Sequence, residues 1–326
     1  MVLKILLTGG AGYIGSSVAN LLIDRGHKVV IIDNLITGYR RLVPKEATLI
    51  NCDISNTKKV SEVIRGSNFD LVMHFAGLIR VDESVKNPEK YHEYNYSKAK
   101  SFLDTCFKNQ LRNVIFSSTA SVYGNPVKNK VSENDKLNPL NPYALSKYNL
   151  EKYLINQSKK MKINSIILRY FNVAGAEDKM RCGLISKKST HLIKVACEVA
   201  LKKRKELVIN GDDYNTVDGT PVRDFIHISD LSEMHLISAI YLVSKKKSNI
   251  FNCGYGKGYS VKQVIDTINK IIKFKIQSFV GKRRAGDSAS VVADSSKFFN
   301  YFSWKPKYKN LDLILKSSLE WEKKIN

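Results

Sequence analysis

The stretch Thr8-Gly9-Gly10-Ala11-Gly12-Tyr13-Ile14-Gly15 decides the fold. It follows the apolar run Val2-Leu3-Lys4-Ile5-Leu6-Leu7 and opens a helical pattern over residues 13–25. Glycines spaced G-x-x-G-x-x-G between a strand and a helix permit a tight turn and let the backbone approach a pyrophosphate. The helix N-terminus then adds N–H donors and a partial positive charge. Gly9, Gly12 and Gly15, with Tyr13 and Ile14 between them, are therefore candidate cofactor-binding residues. Asp33 ends the next strand, where an acid bonds the ribose hydroxyls of NAD and repels the 2′-phosphate of NADP. No Gly-Lys-Ser/Thr follows the glycines, which excludes a P-loop.

Working outward, strands are predicted at 2–8, 28–32, 47–51, 70–74, 111–117 and 163–170, with helices at 13–25, 57–65, 88–109 and 143–159. Nearly all-apolar strands alternating with helices predict a parallel sheet buried on both faces. Residues 172–188 read as loop. Helical patterns return at 189–203, 229–245, 260–273 and 311–323, with short strands at 206–209, 249–252 and 275–280. The expected organisation is α/β: a Rossmann-type NAD-binding domain over 1–171, with helices on both faces and a return segment near 224–253. A smaller C-terminal α/β lobe over 172–326 is expected to bind the substrate.

The chain has 326 residues, 43% hydrophobic and 25% charged, which argues against disorder, collagen and coiled coil. No apolar run approaches the ~20 residues of a membrane helix, so no membrane partner is expected. Met1 runs directly into the first strand, which predicts no cleavable leader. Cys52, Cys106, Cys182, Cys197 and Cys253 are scattered without a CxxC or Cys/His cluster. That pattern predicts no metal site and fits a reducing, cytoplasmic location. The net charge of +23 is mostly lysine, in short runs such as Lys202-Lys203-Arg204-Lys205 and Lys245-Lys246-Lys247. These runs read as solvated helix faces. The competing reading is a basic NAD- or RNA-binding protein without enzymatic activity, but no aromatic-basic RNA motif or zinc-finger spacing accompanies the charge, so no nucleic-acid partner is expected.

Tyr143-Ala144-Leu145-Ser146-Lys147 is Y-x-x-x-K at a helix start, just after Asn141-Pro142. An i, i+4 pair lies on one helix face. A phenol with a pKa near ~10 is a poor base, but an adjacent ammonium and a cationic nicotinamide both favour phenolate. With the glycine loop, Asp33 and Ser117-Ser118-Thr119 at a strand end, the chain resembles the extended short-chain dehydrogenase/reductase family. The resemblance narrows at Gly211-Asp212-Asp213-Tyr214-Asn215-Thr216-Val217-Asp218-Gly219-Thr220 and at Val222-Arg223-Asp224-Phe225-Ile226-His227. Together with His74-Phe75-Ala76-Gly77, Glu83-Ser84-Val85, Val122-Tyr123-Gly124, Arg169-Tyr170-Phe171-Asn172 and Arg283-Arg284-x-Gly286-Asp287, these segments are similar to the UDP-glucose 4-epimerases over nearly the whole chain.

That resemblance implies a catalytic group of Thr119, Tyr143 and Lys147. Thr119 would hydrogen-bond the substrate oxygen, Tyr143 would move the proton, and Lys147 would hold the nicotinamide ribose and tune Tyr143. NAD would be tightly held and regenerated each turnover, with hydride leaving C4 of the sugar and returning to its other face. Cofactor contacts would include Asn34, Asp53 toward the adenine, Ile54, Phe75, Ala76, Gly77, Asn95 and Phe171. Arg223 and Arg284 would hold the diphosphate, whose oxygens suit guanidinium forks. Asp287 would bind the uridine ribose, with Asn172, His191 and Leu192 contacting substrate. Val291 falls at the position of a sugar-pocket gate, where a small residue admits N-acetylated sugars. The implied substrate is a UDP-sugar, UDP-galactose/UDP-glucose with tolerance for UDP-GlcNAc/UDP-GalNAc, and the implied assembly is a homodimer.

This sequence departs from the family pattern in places. Thr119 stands where many members have Ser. Asn210 stands for a Phe near the uracil, and Tyr94 for an Asn beside the cofactor. Ile79 stands for a Lys toward the cofactor phosphates, which makes the neighbouring Arg80 the candidate replacement cation. Dehydratases and uronate decarboxylases usually carry an acid just after the Thr119 position, where this chain has Ala120 and Ser121. A UDP-glucuronate 4-epimerase is the alternative that a few pocket residues would separate.

Overall fold

Ile5, Leu6 and Leu7 of β1 (Lys4–Thr8) have no exposed surface, so both faces of the strand are covered. A strand buried on two sides needs helices above and below it. The chain supplies them in alternation: α1 (Tyr13–Asp24), β2 (Lys28–Asp33), β3 (Thr48–Asn51), α2 (Thr57–Arg65), β4 (Leu71–His74), α3 (Val81–Lys86), α4 (Pro88–His92), α5 (Lys98–Lys108), β5 (Asn113–Thr119), α6 (Pro142–Lys160) and β6 (Asn164–Tyr170). The later elements are β7 (Asn172–Ala174), α7 (Leu192–Ala200), β8 (Leu207–Asn210), β9 (Val222–His227), α8 (Ile228–Lys245), β10 (Asn249–Cys253), β11 (Gly258–Ser260), α9 (Val261–Ile272), β12 (Ser278–Gly281), β13 (Ser290–Val291), α10 (Ser296–Phe302) and α11 (Leu311–Lys324). This computed structural model describes residues 1–186, 189–284 and 287–325; Gly286, quoted above, lies outside them.

Seven strands form one sheet in the order β10-β6-β5-β4-β1-β2-β3. β1 pairs in parallel with β2 on one side and β4 on the other, and the β2–β3 and β4–β5 pairs are also parallel. The chain order therefore reverses at β1, and in such sheets ligands sit beyond the carboxyl ends of the strands at that point. The fold is α/β, with the glycine loop at the reversal.

The chain forms two compact units. The first comprises Met1–Val122, Pro139–Arg169 and Ser232–Phe251. Its core joins Leu6, Ile32, Val72 and Phe116 of the strands to Phe102, Leu150 and Leu154 of the helices. The second comprises Tyr123–Asn138, Tyr170–Leu231 and Asn252–Asn326. There β9 pairs with β7, β11 and β13, while α11 packs against α7 and α9. Lys194 on α7 reaches Glu322 on α11 at 2.6 Å, with both side chains buried.

Three departures from the sequence expectation stand out. The helix expected at 88–109 is split by a wide π-helical turn over Glu93–Ser97. β9 was not expected, because Arg223, Asp224 and His227 break its apolar pattern; Asp224 and His227 are nevertheless buried. The loop expected over 172–188 begins with the short strand β7.

The turn from β1 into α1 tolerates no side chain at two positions. Gly9 has φ +72°, and a Cβ there would lie 2.6 Å from the Ala76 amide nitrogen. A Cβ on Gly15 would lie 2.3 Å from the Gly9 carbonyl oxygen. Both obstacles are backbone, so relief requires the helix or the strand to move. Gly15→Ala should cost about 1–3 kcal/mol in urea unfolding; an unchanged midpoint and slope would show that the turn yields freely.

Candidate active site

The glycine loop is held from several sides. The Gly12 amide donates to the Gly9 carbonyl at 3.1 Å, and the Tyr39 amide to the Ala11 carbonyl at 2.9 Å. Asp33, buried at the end of β2, accepts from the Ala11 amide at 2.9 Å and from the Leu35 amide at 2.8 Å. The carboxylate thus fixes the loop and the turn after β2. Gly12 is the N-cap of α1 and contributes no side-chain cap, and a helix start of this kind suits an anion. Tyr13 and Ile14 form the first turn of that helix.

Asn34 donates to Asp53 at 3.0 Å, and Lys98 on α5 to the same carboxylate at 3.2 Å. Partial burial works to raise the Asp53 pKa, but hydrogen bonds from Ser55, Lys98 and Asn34 outweigh it and hold the acid at about 2. Ile54 beside it points into the core. Tyr94 lies under the Lys98 ammonium, 4.1 Å from its ring centre.

Phe75, Ala76 and Gly77 follow β4. The Phe75 amide donates to the Thr8 carbonyl at 3.0 Å, and its ring packs on His235 with centres 5.0 Å apart. Asn95 sits inside the π-helical turn, where it accepts from the Leu78 amide at 2.7 Å and donates to the Leu78 carbonyl at 2.9 Å. Its amide therefore holds the loop in place. A Cβ on Gly77 would lie 3.0 Å from the Asn95 Oδ1 and 3.6 Å from the Lys147 Nζ, so this glycine keeps a cradle open beside both. Ile79 is exposed. The Arg80 guanidinium is partly exposed and paired with Asp82 at 2.5 Å.

Asn141 caps α6 by accepting the Ala144 amide at 2.9 Å, with Pro142 in the first turn. This start places Tyr143 against Thr119 at the end of β5, and the Thr119 hydroxyl itself donates to the Ser121 hydroxyl at 3.2 Å. Burial raises the phenol pKa, and the Thr119 contact acts against that rise. One turn on, Lys147 is only 4% exposed and donates to the Ser117 carbonyl at 2.9 Å. Burial brings its ammonium down to about 8, opposed by the Glu151 carboxylate a further turn along. In this structure the ammonium is anchored on β5, and Tyr143 is tuned by burial and Thr119.

Sequence reasoning missed Glu151. It accepts from the Ser118 hydroxyl and pairs with Arg169 at 2.7 Å, with both side chains nearly fully buried. Its i, i+4 spacing from Lys147 was the available signal.

In the second unit, Arg223 on β9 is paired with Asp287, and its other guanidinium nitrogen donates to the Val222 carbonyl at 2.8 Å. Val291 on β13 is in register with Arg223. Asn172 on β7 is in register with Phe225. Phe171 is buried and donates its amide to the Cys253 carbonyl at 3.1 Å. His191 is the N-cap of α7, with Leu192 its first residue. Both imidazole nitrogens of His191 are buried without a hydrogen-bond partner among the described residues. Burial brings its pKa down to about 4, with the Val173 backbone acting the other way, so the ring is neutral near pH 7. The Arg284 carbonyl accepts from the Asp287 amide at 3.2 Å. Arg283, which was not a candidate, stacks 4.2 Å over the Tyr214 ring and pairs with Asp213 at 2.6 Å. Asn210 ends β8 next to that loop.

An uncapped helix start after a glycine turn, an acid at the end of β2 and the open cradle at Gly77 fit a bound dinucleotide. The fold and site together define a Rossmann-type short-chain dehydrogenase/reductase. The model of the NAD dependent epimerase/dehydratase family matches residues 5–254, and the chain belongs to that family. A UDP-glucose 4-epimerase of Azospirillum brasilense is 40% identical over 322 residues, covering 99% of this chain and 92% of its own length. The solved UDP-Glc/GlcNAc 4-epimerase of Campylobacter jejuni is 41% identical, with TM-score 0.86 and 99% of each chain covered. The UDP-glucose 4-epimerase of Bifidobacterium longum, solved with NAD+ and UDP, is 33% identical, with TM-score 0.93 and 98% of each chain covered.

The Asp53 carboxylate gives a test of the hydrogen-bonded cluster it forms with Asn34, Ser55 and Lys98. Its folded pKa lies below its ordinary value, so its contribution to stability is present above about pH 4 and is lost as pH falls through about 2. Asp53→Asn should lower stability by about 1 kcal/mol at pH 7, discounted for partial exposure. The difference from wild type should close near pH 2 in chemical denaturation.

Proposed function

We propose that this chain interconverts UDP-galactose and UDP-glucose by inverting the sugar at C4, with NAD as resident cofactor. The supporting observation is the Tyr143 side chain facing Thr119 at the end of β5, with Lys147 buried one turn along the same helix. When bound, NAD accepts a hydride from C4 and gives it back. The remaining steps belong to the protein. Thr119 orients the 4-hydroxyl by hydrogen bonding. Tyr143 takes the hydroxyl proton as C4 is oxidised and returns it as C4 is reduced. Lys147 holds the nicotinamide ribose and adds positive charge that favours the phenolate. The 4-keto sugar turns its other face before reduction, which inverts C4.

We assign Gly9, Gly12, Tyr13, Ile14 and Gly15 to the pyrophosphate of the dinucleotide and Asp33 and Asn34 to its ribose. Asp53 and Ile54 are assigned to the adenine side, and Phe75, Ala76, Gly77, Asn95 and Phe171 to the remaining wall. Arg223 and Arg284 are assigned to the substrate diphosphate and Asp287 to the uridine ribose. This requires Arg223 to exchange its carboxylate partner for phosphate oxygens. Asn172, His191 and Leu192 complete the substrate contacts. Val291, a small side chain in register with Arg223, supports tolerance of N-acetylated sugars.

We also propose a homodimer formed through α4, α5 and α6, which the exposed Leu145 on α6 supports. The five free cysteines support a reducing, cytoplasmic setting.

Protein purified without added NAD should convert UDP-galactose to UDP-glucose in a coupled assay. Tyr143→Phe should lower kcat by about 10²–10⁴-fold with the fold intact by circular dichroism. No conversion by folded protein supplied with NAD would overturn the reading and make UDP-glucuronate the next substrate to test. Val291→Tyr should depress turnover of UDP-GlcNAc while sparing UDP-galactose; equal sluggishness of both proteins toward UDP-GlcNAc would remove the gate assignment.

A further inference from the structure

Tyr143, Lys147 and Glu151 occupy successive turns of α6, at i, i+4 and i+8. The reaction accounts for the first two. Glu151 is 1% exposed, touches neither end of the reaction and is nonetheless ionically paired. Two residues, Arg169 and Ser118, fix it. Arg169 Nε donates to its Oε1 at 3.1 Å, Arg169 Nη2 to its Oε2 at 2.7 Å, and the Ser118 hydroxyl to its Oε1. Ser118 lies between Ser117, whose carbonyl accepts from Lys147, and Thr119, which meets Tyr143. One carboxylate thus ties the end of β5 to β6 through the helix that carries the base.

We propose that Glu151 is a positioning residue that keeps Lys147 charged at working pH and registers α6 on the end of β5. The proposal rests on the assignment of Lys147 as the ammonium beside the base.

The groups facing Lys147 leave few rivals. Tyr143 and Glu151 share α6. β5 offers only the Ser117 carbonyl and the Phe116 ring, 5.1 Å away. From β4 comes His74, a buried imidazole held neutral because burial brings its pKa to about 3. Near Gly77 stands the neutral amide of Asn95. Arg169 on β6 stands behind Glu151 and works against it. Among these groups the Glu151 carboxylate is the one negative charge. A buried ammonium costs heavily without one.

The opposed signs of Glu151 and Arg169 make the test two-sided. In NAD-loaded enzyme, Glu151→Gln should move the alkaline limb of kcat/KM about one pH unit lower, a tenfold change in the proton affinity of Lys147. Arg169→Gln should move the limb the other way. A second readout does not depend on turnover: acetic anhydride labelling of Lys147 across pH, read by peptide mass spectrometry without sugar. Its midpoint should shift in the same direction as the limb in each variant. If Glu151→Gln fails to fold, the Arg169→Gln limb and labelling midpoint decide: both should rise if the Glu151 carboxylate sets the Lys147 charge, and unmoved values overturn the proposal. Unmoved limbs and labelling midpoints, with only a lower melting temperature, would reduce Glu151 to a structural ion pair and overturn the proposal. Moved midpoints in protein with no epimerase activity would leave the proposal standing and remove the reaction assigned to it.

Discussion

The first unit depends on a contact between bare backbones. The first turn of α1 passes so close to the loop leaving β1 that the Gly15 Cα looks directly onto the Gly9 carbonyl, and Gly9 in turn abuts Ala76. Because the helix can come that near, its N-terminus points along the carboxyl ends of β1 and β4, where the sheet order reverses. Asp33 then holds the loop by its Ala11 amide, and Gly38 packs on Asp33 from the far side. One steric condition therefore places an electropositive helix end, an acid and the following loop within a single turn of chain.

The parts of this arrangement that were legible in the sequence are those with a short period. The glycine turn, the apolar strands and the Tyr143/Lys147 pair declare themselves within a few residues. β5 and β6 read clearly because every residue of β5 and nearly every residue of β6 is buried. β9 did not, because its buried acid satisfies itself on remote amides. Asp224 accepts from the amides of Tyr255, Gly256 and Ala293, contacts that no local pattern encodes. The π-helical turn was also invisible, since Glu93–Ser97 has the composition of ordinary helix and only the two-way bond from Asn95 to Leu78 explains the extra width.

Several buried charges in both units are tied to a partner on a different element. Glu151 and Arg169 join α6 to β6, and Lys194 and Glu322 join α7 to α11. Asp230 binds the Tyr255 hydroxyl and the amides of Lys307 and Tyr308, linking α8 to the segment before α11. Such contacts add modestly to stability, but they penalise any shift of one element past another, because the shift would strand a charge away from water. A reaction that turns a sugar over without letting it go needs walls that do not slide.

The sheet order carries a consequence for how the chain is made. β6 pairs on one side with β5, which precedes it closely, and on the other with β10, which lies far along the chain. On the ribosome, the first six strands can therefore assemble while the outer edge of β6 still shows an apolar ladder of open amides and carbonyls. Open edges of this kind invite pairing with a neighbouring nascent chain. Residues 249–253 close the edge, so the N-terminal half is not a self-sufficient folding unit, and a ribosome that stalls before β10 would release an adhesive fragment.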